Sequence, residues 1–444
     1  MALDTAVSPT RAEPDFAVPT RHATKSFQLT ASFGPLHRHE GSHMTLEQRS
    51  LTFFESMFAR ARVGPVVASL SLQGEVDAAV MDQAARLLQR HHPVLRSSLR
   101  QSDDGIALVV SEEGAGLVPG AGTLAHELNV PIEQDRPVSR IALSQTADSA
   151  VLSLAGDHAA SDARLNTLLL HRLLGYYTDL LRGVAPEPPG EPAFEGTLED
   201  ALLAAGYEPN PVRPVEDTDT PLTLAVDAAA PGELGVRSFS YAQDTTAALI
   251  AAGRRGGVSI TNLLSGAMAC AVRAQFSADA GPLPVSPAFA VDLRPRVDPP
   301  IPPDAPFCCV ARLVCGTLVD ADDQPVEVGR RISTQLQAAL EQNEIQRRLL
   351  TQRVTGRPVP LRAMSFMVSN IGIVEDYTLP DGLRVTDSRW ATTARGPVAT
   401  LFGSTAYGRL TLDLVYDTAF HRDDVIENVA KHFENSLAAA CQEH

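Results

Sequence analysis

Leu154-Ala155-Gly156-Asp157-His158-Ala159-Ala160-Ser161-Asp162-Ala163 is the stretch on which the fold turns. The apolar run 150–155 predicts a strand that ends just before His158, and apolar residues at helical spacing begin at about Asp162. A strand end of this kind thrusts the imidazole out of the sheet. Asp162 falls near a helix N-terminus, where a carboxylate caps free backbone N–H groups and is favoured by the helix dipole. A neutral imidazole there can take the proton from an attacking hydroxyl, a contribution of about a hundred- to ten-thousand-fold in rate. The tetrahedral intermediate then needs hydrogen-bond donors for its oxyanion. No serine nucleophile is required if the base acts on the acceptor directly. A histidine and an aspartate at this spacing also occur by chance, as a loop histidine beside a helix cap, and the two residues alone leave both readings open.

Upstream of this unit, 46–58 has helical spacing, 66–72 alternates like a strand, and 77–90 is an amphipathic helix stopped at His92-Pro93. Segments 95–99 and 106–111 predict a hairpin turning at Asp103-Asp104-Gly105. Downstream, 164–181 is a helix with Leu165, Leu169, Leu173, Tyr176 and Leu180 on one face. Prolines then crowd 183–192 and 209–221, with a short helix at 198–205 between them, which suits a crossing between domains.

The second half repeats the pattern. Strands are expected at 237–241, 289–293, 308–314, 365–368 and 410–416, and helices at 244–254, 260–273, 327–350 and 423–439. Alternating strands and helices in both halves indicate an α/β fold of two similar lobes with the site between them. The expected division is a disordered tail over 1–44, a first lobe over 45–182, a crossover over 183–234 and a second lobe over 235–444.

Composition narrows the function. The 444 residues carry a net charge of -16, which argues against general nucleic-acid binding and against retention on anionic lipid. Lys25 and Lys431 are the only lysines, so arginine supplies almost all the positive charge. Five cysteines include no C-x-x-C pair, and Cys308 and Cys309 lie in an apolar run, as buried free thiols do in a reducing cytosol. No apolar run reaches the roughly 18 residues of a membrane span, and the first 21 residues lack the apolar core of a secretory signal. A cytoplasmic protein is the expectation.

The quoted stretch resembles the HHxxxDG motif of the condensation-domain and CoA-dependent acyltransferase superfamily. It is most similar to the polyketide-associated acyltransferases typified by the phthiocerol dimycocerosyl transferases. Three further features of the sequence, and the place of the motif itself, carry the resemblance. Arg90-His91-His92-Pro93-Val94-Leu95 with Gln101-Ser102-Asp103-Asp104-Gly105 is similar to the family's helix end and hairpin. Ala290-Val291-Asp292-Leu293-Arg294 with Pro299-Pro300-Ile301-Pro302-Pro303 is similar to its DLR stretch. Gly257-Val258-Ser259-Ile260-Thr261-Asn262 opens the equivalent of its second-lobe core helix, and the HxxxD unit closes the first lobe as it does in the family. The resemblance runs from about residue 45 to the C-terminus. It implies a chloramphenicol-acetyltransferase-like pair of lobes with a channel between them. It makes His158 the catalytic base and Asp162 a structural carboxylate gripped by Arg294, a pairing that a buried carboxylate needs in any case. Asp157 replaces the motif's first histidine and Ala163 its glycine, departures that leave room for a specialised or non-catalytic member.

Ser369-Asn370-Ile371-Gly372 follows an apolar strand, and Asn370 or Ser369 is a candidate oxyanion donor; a polar turn closing the strand is the plain alternative. Residues 345–374 contain no acid but include Arg347, Arg348, Arg353, Arg357 and Arg362. Such a basic island on an acidic chain suits docking of an acidic carrier protein or the phosphates of CoA, and equally suits a solvated helix end. The expected activity moves an acyl group from a CoA or carrier-protein thioester to a hydroxyl of a polyketide or lipid-type acceptor, forming an ester. The thioester is substrate, and neither a metal nor a redox cofactor is expected. Amide formation or ring closure on a tethered chain, and a non-catalytic carrier-binding role, are the alternatives. An acyl carrier protein or a polyketide synthase carrier domain is the expected partner.

Overall fold

Strand Ser149–Gly156, which leads to His158, lies at the centre of a five-stranded sheet. The structure is a computed structural model that describes residues 47–442 apart from 103–104, 134–135, 189, 191–193, 210–219, 227, 229–231 and 394. The expected tail over 1–44 therefore lies outside the described residues, as does part of the crossover. The sheet runs Arg384–Thr392, Val66–Gln73, Ser149–Gly156, Ser139–Gln145, Leu117–Pro119. Its first four strands pair antiparallel and the last pair is parallel. Strand Ser149–Gly156 is buried along most of its length because Val66–Gln73 and Ser139–Gln145 cover both its edges and helix Ala163–Leu181 lies against it. That helix also packs against helix Ala78–His91, and Leu165, Leu169, Leu173 and Tyr176 on its inward face are buried.

A second sheet runs Val310–Val314, Pro287–Asp292, Phe366–Val374, Thr400–Ala406, Arg409–Asp417, Leu234–Tyr241. Its two internal parallel pairings join Phe366–Val374 to Pro287–Asp292 and to Thr400–Ala406. Helix Ile260–Arg273 packs against helices Pro325–Glu341 and Asp423–Gln442. Its run of small residues has a steric reason: a Cβ at Gly266 would stand 2.0 Å from the Pro325 carbonyl oxygen, so a side chain there would force the two helices apart. Two hydrophobic cores result. One is built mainly from the first half, around Leu70, Leu152, Leu169 and Tyr177, and the other from the second half, around Leu264, Phe289, Leu349 and Phe433. The mixed α/β architecture with two lobes matches the expected fold class.

The lobes exchange material. Strand Arg384–Thr392 belongs to the second half but pairs with Val66–Gln73 as the edge of the first sheet, and Trp390 enters the first core. Phe54 makes the reverse crossing into the second core. Two expectations need correction. Segment 46–58 is a strand, Gln48–Ser50, followed by helix Phe53–Ala61. Thr52 starts this helix with a capping box: its hydroxyl accepts the Glu55 N–H, and the Glu55 carboxylate accepts the Thr52 N–H. The expected helix over 327–350 is two helices, Pro325–Glu341 and Glu344–Thr355, broken where Asn343 adopts φ 54°. Strands Ser139–Gln145, Arg384–Thr392 and Thr400–Ala406 and helix Leu124–Asn129 were not foreseen. Among the described residues no helix is long and apolar enough to cross a membrane.

Candidate active site

The chain turns sharply after Gly156. The Asp157 carbonyl accepts the N–H groups of Ala160 and Ser161, each at 3.0 Å, and the Asp157 carboxylate accepts the Ala159 N–H at 2.8 Å. This turn holds the His158 ring with Nδ1 3.1 Å from the Ser161 carbonyl oxygen. A carbonyl only accepts, so Nδ1 carries the proton of the neutral ring and the lone pair resides on Nε2. Phe58 stacks on the imidazole at 4.4 Å between centroids and 17° between planes, which fixes the ring about its second torsion. Cys308 Sγ lies 3.7 Å from the same Nδ1. Burial lowers the His158 pKa; Asp162 opposes this and Arg312 adds to it, so the ring is held neutral below the ordinary histidine range. Burial pushes the Asp157 carboxyl up to about 6, against the pull of its bond from Ala159.

Asp162 sits one residue before helix Ala163–Leu181 and is buried. One carboxylate oxygen accepts the Leu165 N–H at 3.0 Å and caps the helix. The other accepts the Cys309 N–H at 2.9 Å and pairs with Arg294 Nη1 at 2.9 Å. Burial works against the Asp162 charge, but Arg294 and the two N–H donors outweigh it and hold the carboxyl below its usual range. Arg294 in turn contacts Asp292, whose carboxylate accepts the Arg294 N–H at 3.1 Å and lies 3.3 Å from Nη1. Asp162 thus ties a first-lobe helix to two second-lobe segments around 294 and 309. It lines the same cavity as His158, but its two oxygens are taken up by Leu165, Cys309 and Arg294.

His158 lines a cavity of about 470 Å³ together with Phe58, Arg312, Met367, Ser369 and Asn370. A larger hollow of about 1030 Å³ lies beyond, lined in part by Thr261, Arg296, Ser333 and Gln337. The two share Arg164, Ala290, Asp292, Asn370 and Ile371 as lining. Arg164 is the polar bridge in this common wall. Its Nε is 3.1 Å from Asp292 and its Nη2 donates to the Ile371 carbonyl at 2.7 Å. That carbonyl lies where the pairing with strand Thr400–Ala406 is irregular, between Asn370 and Ile373.

Of the two candidate oxyanion donors, Asn370 has much of its amide engaged: Nδ2 donates to the Thr261 hydroxyl at 3.1 Å and Oδ1 accepts the Gly372 N–H at 2.9 Å. This engages one of the two amide hydrogens, and Asn370 lines the cavity. Ser369 is buried and lines the His158 cavity. The arginines of the basic island are dispersed. Arg347 and Arg357 are exposed and Arg362 is half-buried. Arg353 pairs with Asp200 at 2.7 Å. Arg348 is buried and donates to the Arg312 carbonyl, so it presents no charge for docking.

Several residues at the site carried no signal in the sequence reading. Phe58 is one of many apolar residues in its helix. Gly156 is conspicuous only in three dimensions: a Cβ there would stand 2.3 Å from Ser161 Oγ and 3.2 Å from Asn166 Oδ1. Arg312 did leave a trace, as the single charge in the apolar run Cys308-Cys309-Val310-Ala311-Arg312-Leu313-Val314.

A family model described as the phthiocerol/phthiodiolone dimycocerosyl transferase C-terminus matches residues 230–415. Over that stretch the chain is similar to the dimycocerosyl transferases. A curated phthiocerol/phthiodiolone dimycocerosyl transferase from Mycobacterium ulcerans (strain Agy99) is 27% identical over 270 residues, 57% of this chain and 63% of that protein. The chain thus spans somewhat under two thirds of that relative's length. One from Mycobacterium sp. (strain JLS) is 26% identical over 76% of this chain and 84% of its own length. Among solved structures, polyketide synthase associated protein 5 from Mycobacterium tuberculosis superposes with a TM-score of 0.71 at 20% identity, over 89% of this chain and 98% of that one. The first condensation domain of the CDA synthetase superposes at 0.62 and 16% identity, over 89% and 97%. The resemblance drawn from the sequence is borne out for the family, and the structural likenesses carry the fold of condensation domains and two-lobed acyltransferases.

Proposed function

We propose that this protein is an acyltransferase that moves an acyl group from a CoA or carrier-protein thioester to a hydroxyl, with His158 Nε2 as general base. One observation carries the reading: the Ser161 carbonyl fixes the proton on Nδ1, so the free lone pair belongs to the other nitrogen of a ring that lines a cavity. The names of the relatives support the transferase class. In the proposed reaction, Nε2 removes the acceptor proton as its oxygen attacks the thioester carbon. The carbon–oxygen bond forms and the carbonyl becomes an oxyanion, to which the remaining Asn370 amide hydrogen or the Ser369 hydroxyl donates. Collapse breaks the carbon–sulfur bond, and imidazolium returns the proton to the thiolate. Asp162 and Arg294 hold the turn that aims the ring. The chemistry calls for neither metal nor redox cofactor, and the setting would be the cytoplasm.

The test is product analysis by mass spectrometry with purified protein, offering decanoyl-CoA and decanoyl-carrier protein in separate reactions to an alcohol and an amine of matched length. Ester from either donor supports the proposal and names the donor. Amide alone assigns a condensation-type activity instead. Thioester left intact by every acceptor, while the carrier protein binds, assigns a non-catalytic carrier-binding role.

A further inference from the structure

Among the cations that line the His158 cavity, Arg312 differs from its neighbours. Arg164 is paired with Asp292, and Arg395 donates to the Gly232 carbonyl at 3.0 Å. The Arg312 guanidinium has no hydrogen bond or ion pair to any described residue. The acids that line the same cavity are committed elsewhere: Asp162 to Arg294, and Asp292 to Arg164 and Arg294. Strand Val310–Val314 explains how the side chain comes to be there. Ala311 and Leu313 are buried in the second core, and Arg312 between them takes the other side of the strand and lines the cavity. Its side chain is accessible, yet the surface it touches is the cavity wall, so its charge is stripped of part of its bulk water. Desolvation accordingly lowers its pKa, with no carboxylate to offset the cost. Arg348, donating to the Arg312 carbonyl from behind, adds a second guanidinium nearby, and the acid beside that one, Glu344, stands 4.0 Å away. A partly desolvated guanidinium of this kind is a site for an anion that arrives with the substrate.

We propose that Arg312 binds a carboxylate carried by one of the two substrates inside the His158 cavity. The proposal rests on the acyl-transfer reading and names its substrate class: a hydroxy acid as acceptor, or a donor whose acyl chain ends in a carboxylate. The phosphate of a pantetheine arm does not fit this place. Arg312 and His158 line one cavity, so a group held by the guanidinium shares the space of the reacting bond, whereas that phosphate is the full arm's length from the thioester.

The experiment pairs each carboxylate with its neutral counterpart: 3-hydroxydecanoate against methyl 3-hydroxydecanoate as acceptors, and sebacoyl-CoA against decanoyl-CoA as donors. Calorimetric binding and steady-state turnover are both measured for wild type, Arg312→Gln and Arg312→Lys, with circular dichroism of each variant. The expected result is that wild type prefers the acid of one pair, and that the acid-to-neutral ratio falls about tenfold or more in Arg312→Gln and is partly kept in Arg312→Lys. The pair that shows the preference identifies which substrate carries the carboxylate. Equal binding of acid and neutral partner by wild type, or the same ratio in wild type and Arg312→Gln, overturns the proposal. Binding preference without any turnover strikes the acyl-transfer reading and leaves the carboxylate site standing.

Discussion

Arg164 on the first-lobe helix lies 3.1 Å from Asp292 at the end of a second-lobe strand, and the pair forms part of the wall between the two hollows. Arg164 is half exposed, so the ion pair itself stabilises the fold little. Its consequence is steric and electrostatic. Arg164→Ala should open the wall, remove the donor to the Ile371 carbonyl and admit longer or branched acyl chains. The expected readout is a severalfold rise in kcat/KM for bulky donors relative to acetyl-CoA. An unchanged donor profile would show that the wall does not limit chain size.

Asp162 and Arg294 are both buried, and each is the other's charge partner. Removing one charge strands the other in a low-dielectric site, which typically costs about 3–5 kcal/mol. Asp162→Asn keeps one acceptor oxygen, enough for either the Leu165 or the Cys309 N–H but not both, and leaves Arg294 with only Asp292. Urea unfolding should show a markedly lower midpoint for Asp162→Asn, and a matching loss in Arg294→Met. A midpoint equal to wild type would mean that the pair is not structural.

Asp157 supplies a pH dependence. Its folded pKa of about 6 lies above the ordinary 3.8 because burial penalises the charged form. A raised carboxyl pKa means that the folded state binds the proton more tightly. The favourable contribution is complete below 3.8 and is lost as pH rises through 6. Above that, the buried charge costs up to about 3 kcal/mol, from two units at about 1.4 kcal/mol each. Asp157→Asn, which still accepts the Ala159 N–H, should therefore be more stable than wild type at pH 8 and close to it at pH 4. Stability curves that run parallel from pH 4 to 8 would contradict this.

Gly156 leaves no room for a side chain beside Ser161, whose carbonyl holds His158 Nδ1. Gly156→Ala should displace Ser161 and misaim the ring. Misplacement on the order of 1 Å costs about a hundredfold in rate. The double variant Gly156→Ala with Ser161→Ala removes the clashing hydroxyl and should recover part of kcat. A single variant as active as wild type would show that the turn tolerates the change.

How much of this was legible in the sequence differs from part to part. The strand-to-helix unit around His158 was, because an apolar strand and a capped helix are local patterns. So was the pairing of Asp162 with Arg294, though only through the resemblance, since 132 positions separate them in the chain. Strand Arg384–Thr392 was not, because its pattern Arg-Val-Thr-Asp-Ser-Arg-Trp-Ala-Thr is polar on one face and it finds its partner, Val66–Gln73, in the other lobe. The arginines of 345–374 read as one surface island, yet Arg348 points inward and Arg353 is taken up by Asp200. Charge order along a chain does not say which side of a helix faces water. Arg312 is the converse: an edge-strand alternation turns a charge toward a cavity.

The central claim is tested most directly by the rate of thiol release from decanoyl-CoA or decanoyl-carrier protein with an alcohol acceptor, for wild type and His158→Ala. With the fold of the variant intact by circular dichroism, the account predicts a loss of at least about a hundredfold in kcat. Equal rates in the two proteins would remove His158 from the mechanism.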